Sequence, residues 1–217
     1  MTDNKSKRNI IVLVIVGIVV AALAVALFVG GSDDSSSPSA SGDVPAGEAT
    51  ENQPVVITGD ALPPFESSSG DVAVGMMAPT LEGKSFDGSP VSVTPGDGRE
   101  YMVVFLAHWC PHCNAEVPRL IKWNESGSVP EGLQVVAVST AVASDRPNYP
   151  PSQWILATGW PWPVMADSAA MDAATAYGVT GFPYFAVIGK DGTIKLRVSG
   201  EVQPEVLDQI LASALAS

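Results

Sequence analysis

The chain has 217 residues, with 11 Lys and Arg against 23 Asp and Glu and a formal charge of −12 at pH 7. That acidity excludes a general electrostatic grip on nucleic acid or on anionic lipid headgroups. The two cysteines lie in one short stretch, which excludes a disulfide framework, so one ordinary domain with extensions must be held by an apolar core.

Residues 1–9 carry Lys5, Lys7 and Arg8, and residues 10–29 are uncharged and apolar. About 20 residues rising 1.5 Å each span roughly 30 Å, the thickness of bilayer hydrocarbon. The basic residues before this stretch, with Asp33 and Asp34 after it, predict a signal anchor with a short cytoplasmic N-terminus and everything downstream extracytoplasmic. A cleaved signal peptide is the rival, with "AVA" at 24–26 as its cleavage site, but its apolar region is usually only about 7 to 15 residues. Either way the remainder is exported.

Residues 30–71 read as a disordered linker of Ser, Gly, Pro and acid. A coil of about 40 residues reaches roughly 35 Å, enough to keep a domain near membrane partners. Within it "VVITG" at 55–59 has the composition of an edge strand, while "LPPF" reads as extended. The compact domain is expected over residues 72–217.

There, runs rich in β-branched and aromatic residues alternate with helical patterns. Strands are predicted at 101–107, 133–140, 162–167, 184–189 and 194–200, and helices at 110–125, 151–158, 168–177 and 204–215. "KDGT" at 190–193 is a hairpin turn that makes the last two strands antiparallel. The order βαβαβαββα predicts an α/β fold, a mixed central sheet with helices on both faces.

The stretch "LAHWCPHCNAEVP", 106–118, holds the chemistry. His108, Cys110, His112 and Cys113 crowd four potential ligands into six positions, too close to converge on one tetrahedral ion, so no metal and no cofactor is expected. Cys110 and Cys113 instead have the C-x-x-C spacing of a redox-active disulfide. A strand feeding a helix that begins at Cys110 places its sulfur where free N–H groups and the macrodipole stabilise a thiolate. His112, in the first turn, adds to that stabilisation and makes Cys110 a better leaving group. Cys113, one turn deeper, is the resolving thiol.

"WCPHC" followed by Pro118 resembles the thioredoxin superfamily, in which a proline kinks the active-site helix at that position. "GFPYF" at 181–185 adds a second match. The resemblance implies a thioredoxin-like fold, a cis bond before Pro183, and backbone groups of Phe182 and Pro183 that dock a client peptide. "APTLEGKSFDGSPVSV" at 78–93 is similar to the N-terminal hairpin of the membrane-anchored TlpA/ResA-like branch, as is the pattern Cys110, Cys113, Glu116, Pro118. That branch implies that Glu116 relays a proton near the buried cysteine; a solvated carboxylate on the helix face is the alternative.

Three positions depart from the pattern. Thioredoxin's buried aspartate is replaced by Val104, Pro111-His112 resembles the oxidising DsbA type, and Phe182 is bulky for its place. Ala107 stands where peroxidase chemistry expects Thr. Trp109 is expected to cover the disulfide and contact the client, and His108 to lie at the surface. The segment 145–163, with Tyr149, Trp154, Trp160 and Trp162, reads first as a loop packed by its own aromatics and second as a partner-binding lip.

These readings converge on an extracytoplasmic thiol–disulfide oxidoreductase that serves exported cysteine-containing clients and is recycled by a membrane redox partner. Pro111-His112 favours a disulfide donor; Glu116 and the tether favour a reductant of apocytochrome c or similar clients. A copper-binding chaperone using the cysteines with Met76 and Met77 is the alternative from another class.

Overall fold

The computed structural model describes residues 50–216. Its elements are β1 (Val56–Thr58), β2 (Thr80–Lys84), β3 (Pro90–Val93), β4 (Glu100–Leu106), α1 (Pro111–Glu125), β5 (Leu133–Ser139), α2 (Pro151–Thr158), β6 (Val164–Ala166), α3 (Asp172–Ala176), β7 (Tyr184–Ile188), β8 (Ile194–Ser199) and α4 (Pro204–Leu215). From β4 onward this is the predicted βαβαβαββα order, with three further strands in front.

The strands form one mixed sheet in the order β1-β2-β6-β5-β4-β7-β8, with β3 on the other edge of β2. β4 pairs parallel to β5 and antiparallel to β7, and the β7–β8 pair is the antiparallel hairpin that the turn signal predicts. Gly192 turns it at φ 82, a conformation that costs glycine nothing. Along β4 the side chains alternate between two cores, as a two-residue period requires. Met102, Val104 and Leu106 pack with Val117, Leu120 and Trp123 of α1, Ile155 of α2 and Leu207 and Leu211 of α4. Tyr101, Val103 and Phe105 pack on the opposite face with Tyr177, Tyr184 and the α3 alanines. With both faces covered β4 is almost entirely buried, and its C-terminal end delivers the chain to the start of α1.

The domain begins earlier than the expected boundary at residue 72. Thr50 N–H donates to Phe86 O at 2.9 Å, Glu51 accepts from Ser152 N–H and Oγ–H at 2.9 and 2.6 Å, and β1 pairs with β2. Leu62 and Phe65 are buried in the second core. Arg197 on β8 explains the rest: its guanidinium is fully buried and held by Asp71 at 2.5 and 2.8 Å and by Pro63 O at 2.8 Å. A buried guanidinium demands such partners, and the segment expected to be linker supplies them. Helix α3 is also shorter than the predicted 168–177, starting after Met171, whose φ is 59. Among the described residues no helix is long and apolar enough to cross a membrane. The expected span at 10–29 and the linker up to residue 49 lie outside the described residues.

Candidate active site

Cys110 is the N-cap of α1, with extended backbone angles of φ −74 and ψ 121 and no side-chain cap. Pro111 follows at the first helical position, where its missing N–H costs nothing. Cys110 retains 6% exposure, and its Sγ–H donates to Phe182 O at 3.5 Å. Cys113, one turn along, has none. Both are free thiols. Burial pushes the Cys113 thiol far above its ordinary range, and the charges of Cys110 and Glu116 push the same way, against a backbone hydrogen bond from Ala107. The pair is therefore graded, one sulfur buried but for a small exposed area and one fully buried that resists ionisation.

The other residues singled out in the sequence gather around this pair. The Phe182–Pro183 bond is cis and stands opposite Cys110. Trp109 lies edge-on to Phe182 with ring centroids 6.3 Å apart, donates Nε1–H to Ala141 O at 2.7 Å, and carries the Arg146 guanidinium 5.5 Å from its ring. His112 is exposed, and its Nδ1–H donates to Glu201 Oε1 at 2.7 Å. Pro118 lies inside α1, which continues to Glu125.

Glu116 is not a solvated helix-face carboxylate: its side chain is fully buried. Three residues after Cys113, it shares that cysteine's side of the helix. Oε2 accepts from Arg119 Nη1–H and from Val202 N–H, each at 3.2 Å, while Oε1 is buried without a hydrogen-bond partner among the described residues. Burial raises its carboxyl above the usual carboxylate range, and the Val202 and Arg119 donors offset only part of the rise.

His108 departs from its surface expectation. It is fully buried, its Nδ1–H donating to Pro147 O at 2.7 Å and its Nε2 accepting from Ala143 N–H at 3.2 Å. It thus pins the loop after β5 to the active-site turn. Asn114 reinforces the joint: its amide donates to His108 O and Cys110 O, and its Oδ1 accepts from Asn148 and from Trp154 Nε1–H. Trp160 and Trp162 stack edge-on 5.0 Å apart, and Trp162 reaches Trp123 of α1, so most of the aromatic segment is packed down. Tyr149 is its exposed member.

Sequence reasoning missed Arg119, Glu201, Asn114 and Asn148. Asn114 sat inside the motif with an amide able to cap the turn, a signal within reach. Glu201 lies 89 residues from His112, and no local pattern announces that contact. Met76 and Met77 do not join the thiols. They flank the β7–β8 turn, where Met77 bridges Thr193, whereas Cys110 faces the opposite end of β7; a strand of this length separates them by roughly 15 Å. Among the described residues no cluster of three or more His, Cys, Asp or Glu could hold a metal ion.

The AhpC/TSA family profile matches residues 74–197, from the approach to β2 into β8. The chain belongs to the AhpC/TSA family. Its relatives include the thiol-disulfide oxidoreductase ResA of Geobacillus thermodenitrificans, 26% identical over 144 residues that cover 65% of this chain and 78% of that protein. The thiol:disulfide interchange protein HelX of Rhodobacter capsulatus is 27% identical over 121 residues, 55% of this chain and 63% of HelX. Among solved structures, a thioredoxin-family thiol:disulfide interchange protein from Chlorobium tepidum superposes with a TM-score of 0.52 at 26% identity, over 64% of this chain and 94% of its own. StoA of Bacillus subtilis gives the same TM-score at 18% identity, a likeness of fold. The fold is thioredoxin-like, and the enzyme class to which the family member's relatives and its cysteine pair point is thiol–disulfide oxidoreductase.

Proposed function

We propose that the protein exchanges disulfides with exported cysteine-containing proteins, tethered to the outer face of a membrane by residues 10–29 and recycled by a membrane redox partner. The observation that carries this reading is the gradient across one helical turn, from Cys110 at the helix tip to a fully buried Cys113. In the oxidising direction a client thiolate attacks Cys110 of the disulfide, Cys113 leaves and takes a proton, and a second client thiolate displaces Cys110. The client then holds the disulfide and the enzyme the dithiol. Helix N–H groups and His112 stabilise Cys110 whenever it carries charge. Trp109, Phe182 and Pro183 line the approach and dock the client's backbone.

The reductant alternative, with apocytochrome c or a similar client, is favoured by one observation, the buried Glu116 beside Cys113. A thiol that resists ionisation must lose its proton before it can resolve a mixed disulfide, and Glu116 is the carboxylate within its buried surroundings. The copper alternative loses support from the position of Met76 and Met77.

Trapping tests the exchange reading: Cys113→Ala accumulates client mixed disulfides through Cys110, and Cys110→Ala does not. Clients trapped on Cys110→Ala instead would reverse the two roles. Equilibration of the wild-type pair with glutathione decides direction, a potential near about −120 mV marking a donor and one below about −220 mV a reductant.

A further inference from the structure

The segment between β8 and α4 crosses beside the active-site helix α1 and brings one carboxylate to it. Glu201 Oε1 accepts from His112 Nδ1–H at 2.7 Å, and Glu201 Oε2 accepts from Arg119 Nη1–H. The same Arg119 nitrogen donates to Glu116 Oε2 at 3.2 Å, and the next residue, Val202, donates its N–H to that oxygen. A continuous polar chain thus runs from His112 at the surface, through Glu201 and Arg119, to the buried Glu116 beside Cys113. The His112 side chain at one end is 67% exposed, Glu201 and Arg119 between are 28% and 30%, and Glu116 at the other end is 0%.

We propose that Glu201 is a positioning residue of the exchange reaction: by engaging Arg119 and His112 together, it keeps the guanidinium shared and leaves Glu116 able to take the Cys113 proton. The inference rests on the reading of Cys110 and Cys113 as attacking and resolving sulfurs. Two carboxylates compete for one guanidinium nitrogen. Without Glu201, Arg119 has Glu116 as its acidic partner, and a full ion pair weakens a base. The groups facing Glu116 are Cys113 and Arg119 from α1 and Glu201 from the β8–α4 segment, and the charge of Glu201 adds to the rise in Glu116's pKa. The far oxygen, Oε1, is the one without a partner and is open to a proton.

The chemistry balances without a further reagent when a reduced enzyme meets a disulfide. Cys110 thiolate attacks one sulfur, forms a mixed disulfide and releases one thiolate. Cys113 passes its proton to Glu116, and its thiolate displaces the second thiolate from Cys110 as the Cys110–Cys113 bond forms. The substrate gains two electrons and the enzyme dithiol loses two.

The test uses the full chain, reduced, in detergent micelles, with an aromatic bis(nitrobenzoate) disulfide that releases one coloured thiolate at each step. The second phase reports resolution by Cys113. In Glu201→Gln this phase is expected to slow about three- to tenfold, the loss for a base weakened by a full ion pair. Its acid limb moves to lower pH. Glu201→Asp restores most of both, and Glu116→Gln abolishes the limb with or without Glu201. A second phase and acid limb in Glu201→Gln that coincide with wild type would overturn the proposal. So would equal slowing in Glu201→Asp and Glu201→Gln with the limb unmoved, the mark of a merely structural residue. Wild-type enzyme that releases no thiolate in either phase would instead overturn the exchange reading beneath it.

Discussion

Replacing Asp71 with Asn tests whether the segment before residue 72 is part of the working domain. Asp71 and Arg197 are 2% and 0% exposed, and Asp71 also accepts from Ala73 N–H at 3.1 Å. The substitution keeps the shape and one acceptor but removes the charge, leaving a buried guanidinium uncompensated at a cost of about 3–5 kcal/mol. In a domain of this size each kcal/mol moves the melting temperature by roughly 2–4 °C, so a fall of about 6–20 °C is expected at neutral pH. The pH dependence has a definite sign. The hydrogen bond from Arg197 holds the Asp71 carboxyl below its ordinary range. A depressed carboxylate contributes stability above its unfolded value, near pH 4, and loses it as pH falls through the folded value, so the gap between variant and wild type closes on acidification. Thermal unfolding followed by circular dichroism at several pH values measures both effects. Adding Arg197→Met to Asp71→Leu recovers the charge penalty but not the donors to Pro63 O and Tyr177 O. A melting temperature for Asp71→Asn within about 2 °C of wild type at pH 7 would refute the reasoning and return residues 62–71 to the linker.

Four further outcomes are expected. Glu116→Gln raises stability at neutral and alkaline pH, because the native carboxyl titrates above its unfolded value and its contribution is lost as pH rises; denaturant melts across pH 4–8 should show the advantage vanish at the acid end. His112→Ala shifts the Cys110–Cys113 couple to a more reducing potential if His112 has the proposed role of favouring the Cys110 thiolate; glutathione equilibration reads it, and an unchanged potential removes that role. Gly178→Ala lowers the urea midpoint sharply, because φ is 67 and a Cβ would stand 2.3 Å from Pro63 O. Glu51→Ala costs about 1 kcal/mol in the same assay, through loss of its contacts to Ser152 at the N-terminal turn of α2.

Much of the domain was legible because its signals are local. The β-branched and aromatic run of β4, the Asp-Gly turn at 191–192 and the strand-to-helix junction at Cys110 are each encoded within about ten residues. Even the "VVITG" strand was visible, although polar neighbours hid its partnership with β2. What escaped had partners far away in the chain. His108 looks like a surface residue beside a tryptophan, and only the loop carrying Ala143 and Pro147 makes it a buried hinge pin. Ser, Gly and Pro composition marked residues 62–71 as linker, yet Arg197, 126 residues after Asp71, needs that segment to satisfy its charge.

By itself the sequence determined the chemistry and its frame: a cysteine pair at a helix tip, in a mixed α/β sheet, with a cis-proline expected opposite it. Spacing and periodicity are enough for the pair and the sheet, because they are set by the geometry of single helices and strands, whereas the cis-proline is implied by the resemblance to the thioredoxin superfamily. The tertiary structure alone decided the tuning. Whether Glu116 is solvated or buried, whom His112 holds, and which carboxylates share Arg119 depend on the β8–α4 segment crossing α1. Burial and charge act through space, and no local pattern records which distant residues will arrive.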